Sequence, residues 1–209
     1  MLQTQSIAHQ YKGTQRFHFP DINCNAGETM LILGQSGVGK STLLHILAGI
    51  LQPKEGKVQI NDTSLYNLSG SKRDKFRGKE IGLIFQKPHF VQSLNAFDNL
   101  ILAQKMAGQS PTPQKIKALL AGLNLDQRIH AKVHQMSQGE LQRLSIARAL
   151  VNEPGLLLAD EPTSALDDAN CTEVIKLMQS HAQKVNAALI IVTHDKRLKD
   201  LFPKTIELK

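Results

Sequence analysis

A chain of 209 residues allows one large domain, or a core domain carrying an inserted subdomain, and 41% hydrophobic residues suffice for a sizeable core. The formal charge of +7 fits an anionic ligand, a lipid surface or nucleic acid, while an aromatic content of only 4% argues against a base-stacking nucleic-acid platform. Cys24 and Cys171, far apart and in no metal spacing, read as reduced thiols of a cytosolic protein rather than a disulfide framework.

In chain order, Met1 to Gly13 lacks the apolar stretch of a secretory signal, so no signal peptide is expected. Tyr11 is one of two tyrosines and is read as preceding a strand; its ring either stacks on a purine or is an ordinary half-buried tyrosine. Met30 to Leu33 is a short apolar run ending in glycine, followed by a helical pattern from Lys40 to Ile50. A short strand is predicted over Lys57 to Ile60, with turn chemistry at Asn61-Asp62. Lys72 to Glu80 is the densest charge cluster and reads as a solvated helix face, with contact to anionic lipid or a partner as the lesser alternative. Ile81 to Phe85 is predicted as a strand stopped near Pro88. From Leu94 to Leu150 the pattern is mostly helical, broken at Gly108 to Pro113 and around Asn124.

Gly155 to Ala159 is apolar on both faces, which suits a strand buried in a parallel sheet, and it ends in Asp160-Glu161-Pro162. Asp168 to Gln183 reads as a helix. Ala187 to Val192 reads as a second buried strand, too short to cross a bilayer, ending at Thr193-His194-Asp195. The stop at Lys209, soon after this strand, predicts no C-terminal regulatory domain. Strands alternating with helices imply a parallel α/β sheet, with the helical stretch between Gln86 and Gly155 inserted into it. Ligands of such sheets bind at the carboxyl ends of strands, where Gly34 to Ser41, Gln86, Asp160-Glu161 and His194 all fall.

Gly34, Gln35, Ser36, Gly37, Val38, Gly39, Lys40 and Ser41 match G-x-x-x-x-G-K-[ST] in full, with Thr42 next in the helix. The glycines let backbone N–H groups converge on phosphate oxygens, and the helix presents its positive end. In such a loop Lys40 reaches the β- and γ-phosphates and Ser41 ligates Mg2+. Asp160 is suited to orienting Mg2+ and Glu161 to polarising an attacking water. Adjacent side chains of a strand point to opposite faces, so these two carboxylates are expected to differ in role. Gln86 can touch Mg2+ or the attacking water, and His194 can contact a γ-phosphate or simply cap a strand end. Ser137-Gln138-Gly139-Glu140 forms an S-x-x-E capping box ahead of a helix that buries Leu141, Leu144, Ala147 and Leu150. The same helix start offers N–H groups and a positive dipole end to an anion.

Taken together, Gly34 to Ser41, Gln86, Ser137 to Glu140, Asp160-Glu161, the Ser164 to Asp167 stretch SALD and His194 resemble an ABC-type ATPase across essentially the whole chain. They follow the order of that family's Walker A loop, Q-loop, signature, Walker B with catalytic glutamate, D-loop and switch histidine. The segments flanking Gln86, FRGKEIGLIFQ and SLNAFDNL, look like the branch of lipoprotein-release, macrolide-export and cell-division ATPases.

The resemblance implies an α/β fold: a P-loop NTPase (RecA-like) core with a mainly parallel sheet, an antiparallel β subdomain and an inserted α-helical subdomain. Residues 1–87 and 152–209 would form the core and residues 88–151 the helical signature subdomain of a single domain. It implies ATP and Mg2+ as cofactors, with Lys40, Gln86, Glu161 and His194 as the catalytic set and Ser41, Gln86 and Asp160 around the metal. Tyr11 would stack on adenine, and Gly34 to Thr42, Gln86, Asp160, Glu161 and His194 would hold the nucleotide with Ser137, Gly139 and Glu140 of a second copy. It further implies a homodimer that closes on ATP, an integral membrane permease as partner, and a cytoplasmic location on the inner face of the membrane through that partner, with no nucleic acid.

The signature departs from the usual L-S-G-G-Q. Met136 for Leu conserves volume, Gln138 replaces a glycine and would be strained at a positive φ, and Leu141 stands where the branch often has Gln. Two other readings share some features. A DNA-maintenance ATPase would need long heptad coiled coils between Lys40 and Asp160, which are absent. An ATP-dependent regulatory subunit of a membrane complex that does not transport fits degenerate motifs, whereas Lys40, Ser41, Asp160, Glu161 and His194 are intact. A kinase or GTPase needs neither the signature nor SALD.

Overall fold

The computed structural model describes residues 1–13, 15–164 and 168–209. Its centre is a parallel sheet. The strands are β4 (Thr29–Gly34), β7 (Ile81–Ile84), β8 (Leu156–Asp160), β9 (Ala188–Thr193) and β10 (Thr205–Leu208), in the order β10-β4-β9-β8-β7. Every residue of β8 and β9 is buried, which explains why their sequences are continuous apolar runs without alternation. The period of two nevertheless sorts their side chains into two layers. Leu31, Leu33, Leu157, Ala159, Leu189 and Ile191 join one core cluster. Met30, Ile32, Leu156, Leu158, Ala188, Ile190 and Val192 join the other.

The second layer is closed by α1 (Lys40–Leu47) and by an antiparallel sheet. That sheet is built from β1 (Leu2–His9), β2 (Phe17–His18), β3 (Asn23–Cys24), β5 (Glu55–Ile60) and β6 (Thr63–Ser64). In β5 only Val58 and Ile60 are buried, so the strand shows one face to the core and one to solvent. α1 stops at Leu47, short of the expected Ile50, because Gly49 takes φ +70°. α2 (Gly70–Glu80) buries no residue, in keeping with a solvated charged helix. Both cysteines are free and buried, and burial pushes the Cys24 thiol up to about 11, as expected of inert reduced thiols.

The first layer is closed by α3 (Ala96–Met106), α4 (Pro113–Gly122), α5 (Gln138–Leu150) and α6 (Asp168–Lys184). Asn95 caps α3 by accepting from the Asp98 N–H at 2.7 Å, and Pro113 opens α4. The break around Asn124 is longer than the helical pattern suggested. Asn124 takes φ +55°, and only short 3-10 turns, Asp126–Arg128 and Val133–Gln135, separate α4 from α5. The reason is tertiary: the first N–H groups of α3, at Ala96 and Phe97, donate to the carbonyls of Ala131 and Ile129, each at 3.0 Å. Those carbonyls would be tied up internally if the segment were helical.

Strands β1 and β10 and the 3-10 helix Lys196–Leu201 lie outside the elements expected from sequence, and Tyr11 follows the long strand β1. Among the described residues, no helix is long and apolar enough to cross a membrane.

β7 runs against α5 at Gly82, where an added Cβ would collide with the Ala149 carbonyl and come within 2.8 Å of Leu157 Cδ1. Gly82→Ala should therefore destabilise the fold by about 1–3 kcal/mol through overpacking, measured as a lower denaturant midpoint at constant slope.

Candidate functional site

The loop between β4 and α1 turns through Gly37 at φ +88° and Gly39 at φ +93°. A side chain at 39 would be strained and would also meet Phe17 at 2.9 Å, so glycine is required there. Gly39 is the N-cap of α1 and makes no side-chain cap, which leaves the first N–H groups of the helix pointing into the cleft for an anion. The cleft has a volume of about 1090 Å3 and is lined by Gly34 to Thr42, Gln86, Glu161 and His194.

Lys40 is buried, and its Nζ donates to the carbonyls of Gly34 and Gln35, both at 2.9 Å, and lies 3.5 Å from Glu161 Oε1. Asp160 ends β8, is buried, and accepts from the Ser41 hydroxyl. Burial pushes its carboxyl above the ordinary value, and the Ser41 hydrogen bond only partly offsets this. Its Oδ1 is buried without a protein partner.

Glu161 breaks the expected alternation. It lies just past β8 in the left-handed region at φ +45°, with its N–H held by the Val192 carbonyl at 2.9 Å. The two carboxylates therefore do not diverge to opposite faces: one meets Ser41 and the other Lys40. Glu161 Oε2 accepts from the Thr193 hydroxyl at 2.7 Å, and Oε1 lies 2.9 Å from His194 Nδ1 and accepts from the His194 N–H at 3.1 Å. Burial alone would raise the Glu161 carboxyl, but the hydrogen bonds from His194 and Thr193 outweigh it and hold it below its ordinary value.

Gln86, two residues past β7, shares the cleft. Tyr11 borders a neighbouring cavity with Lys12 and Lys54; its hydroxyl lies 3.2 Å from Thr42 Oγ1 and its ring meets the His9 ring edge-on at 4.8 Å. Ser137, Gly139 and Glu140 do not line the cleft. They start α5, where Ser137 Oγ accepts from the Glu140 N–H at 3.3 Å and Glu140 Oε2 accepts from the Ser137 N–H at 2.7 Å, the expected capping box.

Gln138 is the first helical residue and is absent from the positive-φ positions, so the strain expected of it does not arise. Met136 is buried in the first core cluster, and Leu141 packs on its edge. α5 buries more than one face: besides Leu144, Ala147 and Leu150, it buries Gln142, Ser145, Ile146 and Ala149. Of the Ser164 to Asp167 stretch, Ala165, Leu166 and Asp167 lie outside the described residues; the Ser164 N–H donates to the Glu161 carbonyl at 3.2 Å. Sequence reasoning passed over Thr193, which grips Glu161, and Phe17, which lines the cleft against Gly39. The hydroxyl beside His194 was a usable signal for the first. The second depends on β2 crossing the loop, which no local pattern encodes.

The family model described as ABC transporter matches residues 18–164. The lipoprotein-releasing system ATP-binding protein LolD of Idiomarina loihiensis is 37% identical over 208 residues, 98% of this chain and 91% of that protein. A protein of Staphylococcus haemolyticus named for hemin import, HrtA, is 39% identical over 191 residues, covering 90% and 86%. A dimeric ATP-binding cassette solved in a post-hydrolysis state with ADP and Pi superposes with a TM-score of 0.89 at 29% identity, covering all of this chain and 94% of the other. The loop, the paired carboxylates and these matches together show that the chain belongs to the ABC transporter family, as one of its ATP-binding cassette ATPases.

Proposed function

We propose that this chain is the subunit that binds and hydrolyses ATP with Mg2+ between two of its own copies and drives a separate membrane protein, in lipoprotein or lipid extraction or export. The observation that carries this reading is a division of the motifs. The phosphate loop, Glu161 and His194 line one cleft, with Asp160 bonded to the Ser41 hydroxyl of that loop, while Ser137, Gly139 and Glu140 are not part of its lining and Ser137 and Gln138 are exposed. A second copy arranged head to tail joins the two halves.

The residues fit both ATP and Mg2+. The uncapped start of α1 suits phosphates, and the orphan Oδ1 of Asp160, beside the Ser41 hydroxyl, suits a hard cation that keeps most of its ligands from water and phosphate. When bound, Mg-ATP supplies the scissile γ-phosphate and the charge that neutralises it. Lys40 and the loop N–H groups bind and orient the phosphates, and Gln86 reaches the cleft from the end of β7. Glu161, kept ionised by Thr193 and His194, accepts the proton of the attacking water. His194 holds that carboxylate in place. Tyr11, next to Thr42, takes the base.

The membrane partner has a docking place in the cleft of about 1070 Å3 between α2, α3 and β7, where Ile50 and Met106 are exposed. His89 borders this cleft three residues after Gln86, so one short segment touches both sites. Docking there makes the protein peripheral on the inner face of the membrane. The lipoprotein-release names among the relatives support the extraction reading.

Glu161→Gln should bind ATP and form a stable ATP-dependent dimer while losing hydrolysis by at least about 100-fold. A variant that stays monomeric with ATP in size-exclusion light scattering would overturn the two-copy mechanism. Gly139→Asp adds a charge where a Cβ meets only Arg143 Nη1 at 3.6 Å, so the monomer should fold and bind ATP while hydrolysis falls by about 100-fold or more. Loss of nucleotide binding as well would make the stretch merely structural.

The raised Asp160 pKa favours the folded state at low pH, a contribution lost as pH rises through the folded-state value. At neutral pH, Asp160→Asn should therefore raise the melting temperature of the nucleotide-free protein while abolishing Mg2+-dependent turnover. Co-purification should recover a partner with four transmembrane helices and a large extracytoplasmic domain; a six-helix importer-type partner overturns the extraction reading.

A further inference from the structure

The end of the signature carries a charge that the rest of the site has to tolerate. Glu140 completes the cap of α5 with Oε2 on the Ser137 N–H at 2.7 Å. Any side chain with a terminal oxygen can make that bond, and a glutamine would do so without charge. Glutamate instead places an anion in the first turn of a helix whose start, on the reading above, meets the triphosphate of a second copy. Glu140 is held below its ordinary value by the Ser137 N–H and by Arg128, so it is ionised at neutral pH.

Its second oxygen is also taken. Oε1 accepts from Arg128 Nε at 2.7 Å, and the two side chains are 15% and 48% exposed respectively. Arg128 comes from the 3-10 turn Asp126–Arg128, whose own N–H is held by the Leu125 carbonyl at 3.0 Å. The residue after it is pinned to α3 through the Phe97 N–H. The Glu140 side chain is already held by its cap bond to the Ser137 N–H, so the ion pair has to order only the Arg128 side chain, which lowers the entropy cost that usually cancels a surface pair. The nearby acid Asp126 bonds Gln127 at 3.1 Å and leaves Arg128 to Glu140. A Cβ added at Gly139 would meet a second cation, Arg143 Nη1, at 3.6 Å.

We propose that Arg128 is a positioning residue that cancels the Glu140 charge at this face, allowing a glutamate to stand in the last place of the signature without repelling the second copy's nucleotide. This rests on the two-copy reading and adds to it a requirement for one cation outside the signature.

The test is a double-mutant cycle in the Glu161→Gln protein, reading the ATP-driven dimerisation constant by light scattering over a concentration series. Arg128→Ala should weaken the dimer about tenfold, roughly threefold at each of two identical sites, as a half-exposed charge allows. In a Glu140→Gln background the same change should shift the constant by less than about twofold. Arg128→Lys should recover most of the loss, and added NaCl should narrow the gap between Arg128→Ala and its parent. Melting of the nucleotide-free variants checks that the fold is intact. Equal harm from Arg128→Ala in both backgrounds, or none in either, overturns the inference while leaving the two-copy reading standing. Absence of an ATP-driven dimer in the Glu161→Gln parent removes both.

Discussion

The register of three parallel strands governs this site. β4 pairs with β9 at Leu33 and Thr193, and β8 pairs with β9 at Asp160 and Val192. The phosphate loop, Glu161 and His194 each leave the sheet at that same edge, within reach of one another. A slip of one residue in β9 would move Thr193 to the opposite face, exchange the two core layers along the whole strand and separate the hydroxyl from the carboxylate it holds. The two apolar clusters, each fed by alternate residues of β4, β8 and β9, make such a slip costly.

That rigidity allows three charged groups to be buried together. Lys40, Asp160 and Glu161 are all largely withdrawn from water, and a buried charge is tolerable only when it is paired and hydrogen-bonded. Lys40 has two carbonyls and a carboxylate; Glu161 has a hydroxyl, a backbone N–H and an imidazole. Asp160 alone keeps an orphan oxygen, and its carboxyl moves up rather than down. The site is thus balanced everywhere except at the atom best suited to a cation.

The helical segment follows a different logic. Its connection from α4 to α5 stays irregular because its carbonyls close the start of α3, and that irregular path carries Arg128 to Glu140. One short stretch thereby serves two elements: it caps one helix and balances the charge at the start of another. The capping box of Ser137 and Glu140 is complete within the chain, and Arg143 Nη1 is the neighbour that a side chain at Gly139 would meet.

Much of this was legible from residue order. The glycine loop, the apolar runs of β8 and β9 and the capping box are encoded locally, by backbone freedom at Gly37 and Gly39, by burial on two faces, and by side chains reaching their own helix. Strands β1 and β10 carry no comparable signal, because their pairing is made by distant partners: β1 with β5, and β10 with β4. The opposite-face expectation for Asp160 and Glu161 failed because strand alternation ends at Asp160, and the Val192 carbonyl draws Glu161 into a left-handed turn. Residue order alone carries the chemistry: a phosphate loop, two carboxylates, a histidine and a capped helix start. Their grouping comes from the tertiary fold, because strand register brings the loop, Glu161 and His194 onto one cleft with Asp160 against Ser41, while Ser137, Gly139 and Glu140 lie outside its lining.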